Sequence, residues 1–330
     1  MTTLLIAIMA LILGIMGLVL GADKFVVGSA AAARKLGISP MVVGLTIVSV
    51  GTSAPEIIVS INAAIDGAGE LAVGNAIGSN LANIGLVLGV TALIAPLPVK
   101  QHLLREESPV LLVVTLIVGF CLFDGVLGRM ESIFLAMLTI PLLIAVVKYK
   151  GENNATASEI ETDTAEIDTK TAIFWFLGGL TVLLVSAKTT VWGAREVAVY
   201  LGISELVIGL TIIALGTSLP ELAASIASAL KGHHDIAVGN VFGSNLFNLL
   251  LVMSAAGAIS PINLSSDVFL RDYMSMTLMT VLLIVFVAQA ITKETYIVGS
   301  GTISRRVGAL FLVGYIVYYG ILWTSLNFVR

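Results

Sequence analysis

The chain has 330 residues, 58% hydrophobic and 12% charged, with a mean hydropathy of +1.04 and a net charge of −4. A soluble domain carries about 25% charged residues, so soluble globular classes are excluded, and no basic excess marks a nucleic-acid partner. Cys121 is the single cysteine, which excludes an intramolecular disulfide and any multi-cysteine metal site.

Crossing a bilayer core takes about 20 apolar helical residues. On that measure the sequence predicts ten spans, roughly 3–21, 40–65, 70–95, 108–124, 130–148, 171–190, 204–230, 235–260, 273–291 and 306–325. The first run has no basic segment before it and outlasts a signal-peptide core, so it reads as a spanning helix with the small residues from Ser29 to Ala33 at its end. The expected class is an all-α polytopic membrane protein of ten transmembrane helices. A polar stretch with Glu152, Glu159, Glu161, Asp163, Glu166 and Asp168 divides the spans five and five. The expected organisation is a five-helix repeat over 1–149, an acidic linker over 150–170 and a second repeat over 171–330.

About 63 residues occur twice: 37–99 and 202–264 align without a gap, with about 30 identities. Arg105-Glu106 and Arg271-Asp272 extend the duplication. Five spans per half is an odd number, so the second half is expected upside down relative to the first, as in many secondary transporters. Twelve of the 17 Lys and Arg residues fall on one side of the predicted spans. The positive-inside rule makes that side cytoplasmic, with the 150–170 linker, and puts both termini outside. The expected location is the inner (plasma) membrane.

Each repeat carries two polar blocks. The first are Gly51-Thr52-Ser53-Ala54-Pro55-Glu56 and Gly216-Thr217-Ser218-Leu219-Pro220-Glu221. The second run from Gly74 to Asn83 and from Gly239 to Asn248. A charged acid at the bilayer centre costs roughly 2.5–3.5 kcal/mol on insertion scales. No Lys or Arg lies inside spans 2, 3, 7 or 8 to pair with Glu56 or Glu221. Pro55 and Pro220 remove an N–H and disrupt the helix, freeing carbonyls near Ser49 to Gly51 and near Ala214 to Gly216. Thr52 and Glu56 share a helix face with Ser53 beside them, and Asn75, Ser79 and Asn83 form a polar stripe. Thr217, Ser218, Glu221 and Asn240, Ser244, Asn248 repeat both patterns. Such a pocket offers only oxygen ligands and suits hard cations such as Ca²⁺, with Na⁺ competing for the same groups. Two carboxylates balance one Ca²⁺. The stripe on its own also fits interhelical hydrogen bonding.

At these residues the chain resembles the sodium/calcium exchanger branch of the calcium/cation antiporter superfamily, prokaryotic type. Its two GTSxPE and GNxxGSNxxN blocks look like that family's alpha repeats. The resemblance implies ion ligands at Thr52, Ser53, Glu56, Ser79 and Asn83 and at Thr217, Ser218, Glu221, Ser244 and Asn248. It implies backbone carbonyl ligands near Ser49 and Ala214, with Glu56 and Glu221 as the charged Ca²⁺ and Na⁺ ligands. Potassium-dependent relatives carry Asp where this chain has Asn248, so potassium dependence is not expected. The short linker cannot hold the calcium-sensing domain of eukaryotic relatives.

The expected function is Na⁺/Ca²⁺ antiport by alternating access, with ions bound at a midplane site between the repeats. The alternative is H⁺/Ca²⁺ antiport using the same two glutamates. A passive channel fits the duplicated helix breaks less well. Ser53 and Ser218 have no His or Lys nearby to make them nucleophiles, so no enzyme is expected. No cofactor, nucleic acid or obligatory protein partner is expected, only Ca²⁺, Na⁺ and the lipid bilayer. His233-His234-Asp235 reads as a solvated connection.

Overall fold

Glycine ends the first helix where the charges do not. In the computed structural model, helix α1 (Thr2–Leu36) continues past the expected span of 3–21, through Asp23 and Lys24, and takes in the small residues Ser29 to Ala33 expected at its end. Two distant partners make this possible: Lys231 Nζ lies 2.6 Å from Asp23 Oδ1, and Lys24 Nζ sits 4.6 Å above the Trp175 ring. The helix stops at Gly37, whose φ of 64° lets the Ile38 N–H return to the Ala33 carbonyl at 3.1 Å. The structure describes all residues except 1, 152–166, 204–207, 209–211, 213, 295–299 and 329–330, and the side chains of 2, 145–151, 292–294, 300 and 326–328.

After α1 come α2 (Pro40–Thr52), α3 (Ala54–Ile65), α4 (Gly69–Ile94), β1 (Leu97–Lys100), α5 (Ser108–Cys121), β2 (Val126–Leu127) and α6 (Arg129–Gly151). The second half contributes α7 (Thr169–Tyr200), α8 (Ala214–Thr217), α9 (Leu219–Leu230), α10 (His234–Ile259), β3 (Ile262–Asn263), α11 (Val268–Ile291), β4 (Ser300–Ile303) and α12 (Arg305–Phe328). Among the described residues, α1, α4, α7, α10, α11 and α12 are each long and apolar enough to span a membrane, and the broken pair α2–α3 is a seventh. The expected span over 204–230 lies partly outside the described residues.

The chain forms two compact units, and each draws on both halves of the sequence. The first comprises Met1–Pro55 and Leu142–Gly243, the second Glu56–Pro141 and Ser244–Arg330. In the first, α1 and α7 lie antiparallel at backbone contact. A methyl group on Gly14 would meet Thr190 Oγ1 at 2.4 Å, one on Gly21 would meet Leu183 N at 2.6 Å, and one on Gly28 would meet Phe176 N at 2.5 Å. Gly179 answers from the other helix, where a Cβ would sit 2.4 Å from Phe25 N. Small residues that let backbones approach in this way are the usual means of packing helices in lipid, where hydrophobicity gives no drive. Leu18, Phe25, Val43, Val48, Leu183 and Ile236 are buried together behind this contact. The outer face of α1 exposes Leu5, Met9, Ile12, Met16 and Val19, an apolar surface suited to lipid.

In the second unit α4 packs on α12 through Gly85 and Gly89; a methyl at these positions would meet Tyr315 Cβ at 2.5 Å and the Gly308 carbonyl at 3.0 Å. Two short antiparallel ribbons, absent from the all-helix expectation, join distant connections. One pairs Leu97 with Ile303, the other Val126 with Asn263. Arg271 binds Asp272 through Nη2–H···Oδ2 at 2.9 Å, and Tyr318 donates to Asp272 Oδ1 at 3.1 Å.

Candidate functional site

Both proline motifs break their helices one residue before the apolar-Pro-Glu step. Ser53 adopts φ −82°, ψ 2° between α2 and α3, and Ser218 adopts φ −88°, ψ 4° between α8 and α9. The Ser53 N–H still reaches the Ser49 carbonyl at 2.9 Å. The Ser218 N–H instead goes three residues back to Leu215, at 3.2 Å. The Ser49 carbonyl, expected to have lost its helical donor, therefore keeps it and has its other lone pair for a further partner. Pro55 and Pro220 withhold their N–H from Gly51 and Gly216, four residues back.

Within the first unit, residues from the two repeats meet. The Ser53 hydroxyl donates to Glu221 Oε1 at 3.2 Å. Thr52 donates to Asn240 Oδ1 at 3.2 Å. Asn240 Nδ2 donates to the Glu221 carbonyl at 3.4 Å and to Ser225 Oγ at 3.0 Å. Thr52, Ser53, Ser218, Glu221, Ser225 and Asn240 are all essentially inaccessible to solvent. Glu221 Oε2 and Ser218 Oγ have no hydrogen-bond partner among the described residues, and no Lys or Arg pairs with Glu221 there. An unpaired carboxylate in such a place carries a large desolvation cost unless a cation or a proton joins it.

The second unit holds Glu56, Ser79, Asn83, Ser244 and Asn248, all buried. Asn75 Nδ2 donates to the Glu56 carbonyl at 3.4 Å and to Ser60 Oγ at 3.2 Å, the arrangement that Asn240 makes around Glu221. Asn80 Nδ2 donates to the Asn245 carbonyl at 3.2 Å and so links α4 to α10. Asn83 opens a π-helical stretch, Asn83–Leu88, and Asn248 opens its counterpart, Asn248–Val252. Turns of this kind occur mostly at functional positions, because the extra residue re-aims side chains. Both polar atoms of Asn83, Asn248 Oδ1 and Ser244 Oγ have no hydrogen-bond partner among the described residues. Thr217 occupies the last position of α8, before the Ser218 break.

Sequence reasoning passed over Ser60 and Ser225. Both are fully buried and sit at equivalent repeat positions, four residues after each glutamate; that equivalence was the available signal.

A buried acid lined by hydroxyls and amides inside an apolar helical protein defines a class, the ion-binding membrane transporters. The family model for the sodium/calcium exchanger protein matches residues 6–147 and 171–324. The chain belongs to the sodium/calcium exchanger family and is a multi-pass membrane transporter of cations. It is 38% identical over 329 residues to the inner membrane protein YrbG of Escherichia coli, covering 98% of each chain. It is 28% identical over 304 residues to the sodium/calcium exchanger MaX1 of Methanosarcina acetivorans, covering 81% of this chain and 87% of that one. Its fold is similar to that of the sodium-calcium exchanger NCX_Mj, with a TM-score of 0.82 at 32% identity over 97% of this chain and 99% of the other.

Proposed function

We propose that the chain exchanges Na⁺ for Ca²⁺ across the inner membrane by alternating access. Cations bind the oxygens of Thr52, Ser53, Glu56, Ser79, Asn83, Thr217, Ser218, Glu221, Ser244 and Asn248, with carbonyls near Ser49 and Ala214 completing the shell. The observation that carries this reading is the Ser53–Glu221 contact, which brings the helix breaks of the two repeats together around a buried carboxylate with a free oxygen. Ser53 spends its hydrogen on Glu221, so its lone pairs remain for a cation. Two carboxylates match the charge of one Ca²⁺, and the neutral oxygens suit hard cations of either charge. When either ion load is bound the pocket is neutralised; an empty pocket with two ionised acids is costly to occlude. The ten-span, inverted-repeat plan, with the 150–170 linker cytoplasmic and both termini outside, belongs to this proposal. The YrbG and MaX1 relatives and the NCX_Mj fold support it.

The test is ⁴⁵Ca²⁺ uptake into proteoliposomes under an outward Na⁺ gradient and, separately, under a pH gradient. Uptake driven by Na⁺ and indifferent to pH is expected. Uptake driven by the pH gradient alone would replace Na⁺ by H⁺ as the coupling ion.

A further inference from the structure

Asn240 is completely buried, and its amide has only one orientation available. The main-chain carbonyl of Glu221, 3.4 Å away, can accept a hydrogen bond but cannot donate one. The nitrogen of the amide must therefore face that carbonyl, with its second hydrogen on Ser225 Oγ at 3.0 Å. The oxygen of the amide is then turned towards Thr52, 3.2 Å from its hydroxyl. An amide oxygen only accepts, so Thr52 must donate. A hydroxyl has one hydrogen and two lone pairs; with the hydrogen committed to Asn240, both lone pairs point elsewhere. The chain of constraint runs from the glutamate's own backbone through the amide to the threonine of the other repeat.

We propose that Asn240 is a positioning residue that fixes the hydrogen polarity of Thr52, making the Thr52 oxygen a permanent electron-pair donor to the transported cation. Without Asn240 the Thr52 hydrogen can turn to the Ser49 carbonyl, at 3.4 Å, or to the Glu221 carboxylate, and no single polarity is imposed on the hydroxyl. The first repeat builds the same anchor independently: Asn75 donates to the Glu56 carbonyl and to Ser60. Each glutamate helix thus fixes one amide by the same two acceptors. The inference rests on the proposed function, in which Thr52 is a cation ligand.

The test compares Asn240→Ala, Thr52→Val, Thr52→Ser and the double variant Asn240→Ala/Thr52→Val in proteoliposomes, reading half-saturating Na⁺ and Ca²⁺ concentrations separately from the maximal rate. Loss of a residue that orients an ion ligand weakens ion affinity by about 10–100-fold. Asn240→Ala is expected to raise the half-saturating concentration of at least one ion about tenfold, with a far smaller change in maximal rate. Thr52→Val should do the same, Thr52→Ser, which keeps a hydroxyl, should raise it less than Thr52→Val, and the double variant should be no worse than Thr52→Val alone. Fully additive losses in the double variant, or an unchanged half-saturation in Asn240→Ala beside a raised one in Thr52→Val, would overturn the proposal. If Asn240→Ala fails to reconstitute, Ser225→Ala takes its place, with a smaller rise that vanishes in the Thr52→Val background. Glu221→Gln, run alongside, separates the two readings. Normal transport in that variant overturns the site itself, whereas its loss together with unchanged half-saturation in all the Asn240 and Thr52 variants overturns only the positioning role.

Discussion

The Ser53 hydroxyl, at the helix break of the first repeat, donates to Glu221 Oε1, just past the break of the second, across 3.2 Å. The two residues are far apart in sequence and almost equivalent in the duplication. The contact makes Glu221 sensitive to the state of the first repeat's serine.

Glu56→Gln and Glu221→Gln each keep the side-chain shape and remove half the formal charge of the proposed pocket. Both variants are expected to fold, with unchanged elution and thermal stability in detergent. Ca²⁺ flux should fall by more than the roughly 10–100-fold seen on losing residues that merely orient a ligand. Normal ⁴⁵Ca²⁺ exchange in both purified variants would remove the assignment.

The α1–α7 contact makes a prediction about stability alone. Gly→Ala in a helix gains about 1 kcal/mol of propensity where there is room. At Gly178 a methyl group meets nothing within 4 Å, whereas at Gly21 and Gly179 it meets backbone nitrogens at 2.6 and 2.4 Å. Gly21→Ala and Gly179→Ala should therefore destabilise by about 1–3 kcal/mol, the range for overpacking, while Gly178→Ala is neutral or mildly stabilising. Thermal unfolding in one detergent measures all three.

His233, in the connection after α9, is held below the usual histidine range by burial first and then by the positive charges of Arg34, Lys231 and, when protonated, His234. The native state thus favours neutral His233, while the unfolded chain titrates it near 6.5. Its contribution to stability is intact above that pH and is lost progressively as pH falls below it towards the lower native value. His233→Gln should flatten the acid side of the stability profile below about pH 6.5. An identical slope in the wild type and the variant would contradict the assignment.

Orientation has its own measurement. Single cysteines at Ser158 and at Thr2, in a background lacking the buried Cys121, can be probed on intact cells with an impermeant thiol reagent. Labelling at Thr2 and protection at Ser158 are expected. The reverse would invert the proposed topology.

The sequence carried the helix breaks, because proline acts on its own backbone neighbours, and Ser53 and Ser218 sit where Pro55 and Pro220 put them. It carried the polar stripe for a similar local reason. The small residues from Ser29 to Ala33 marked the far end of α1, but not what accommodates the charges inside it. Asp23 and Lys24 read as the edge of a span, and what neutralises them, Lys231 and Trp175, lies in the other half of the chain. The π-helical turns at Asn83 and Asn248 were equally hidden, since one extra residue per turn leaves no compositional mark. Asn240 was visible as a member of a stripe, but its link to Thr52 is a tertiary fact.

The glycine seam between α1 and α7 has a consequence for how the protein is made. At synthesis rates of about 5–20 residues per second, α1 waits roughly 7–30 s before α7 is translated. During that interval Gly14, Gly21 and Gly28 present a narrow, bare strip of helix backbone to whatever else the insertion machinery holds. The nascent chain must be kept from filling that strip with a wrong helix, and the correct partner arrives only when translation has passed the middle of the message. The duplication that supplies the second half of each unit thereby also sets the order of assembly.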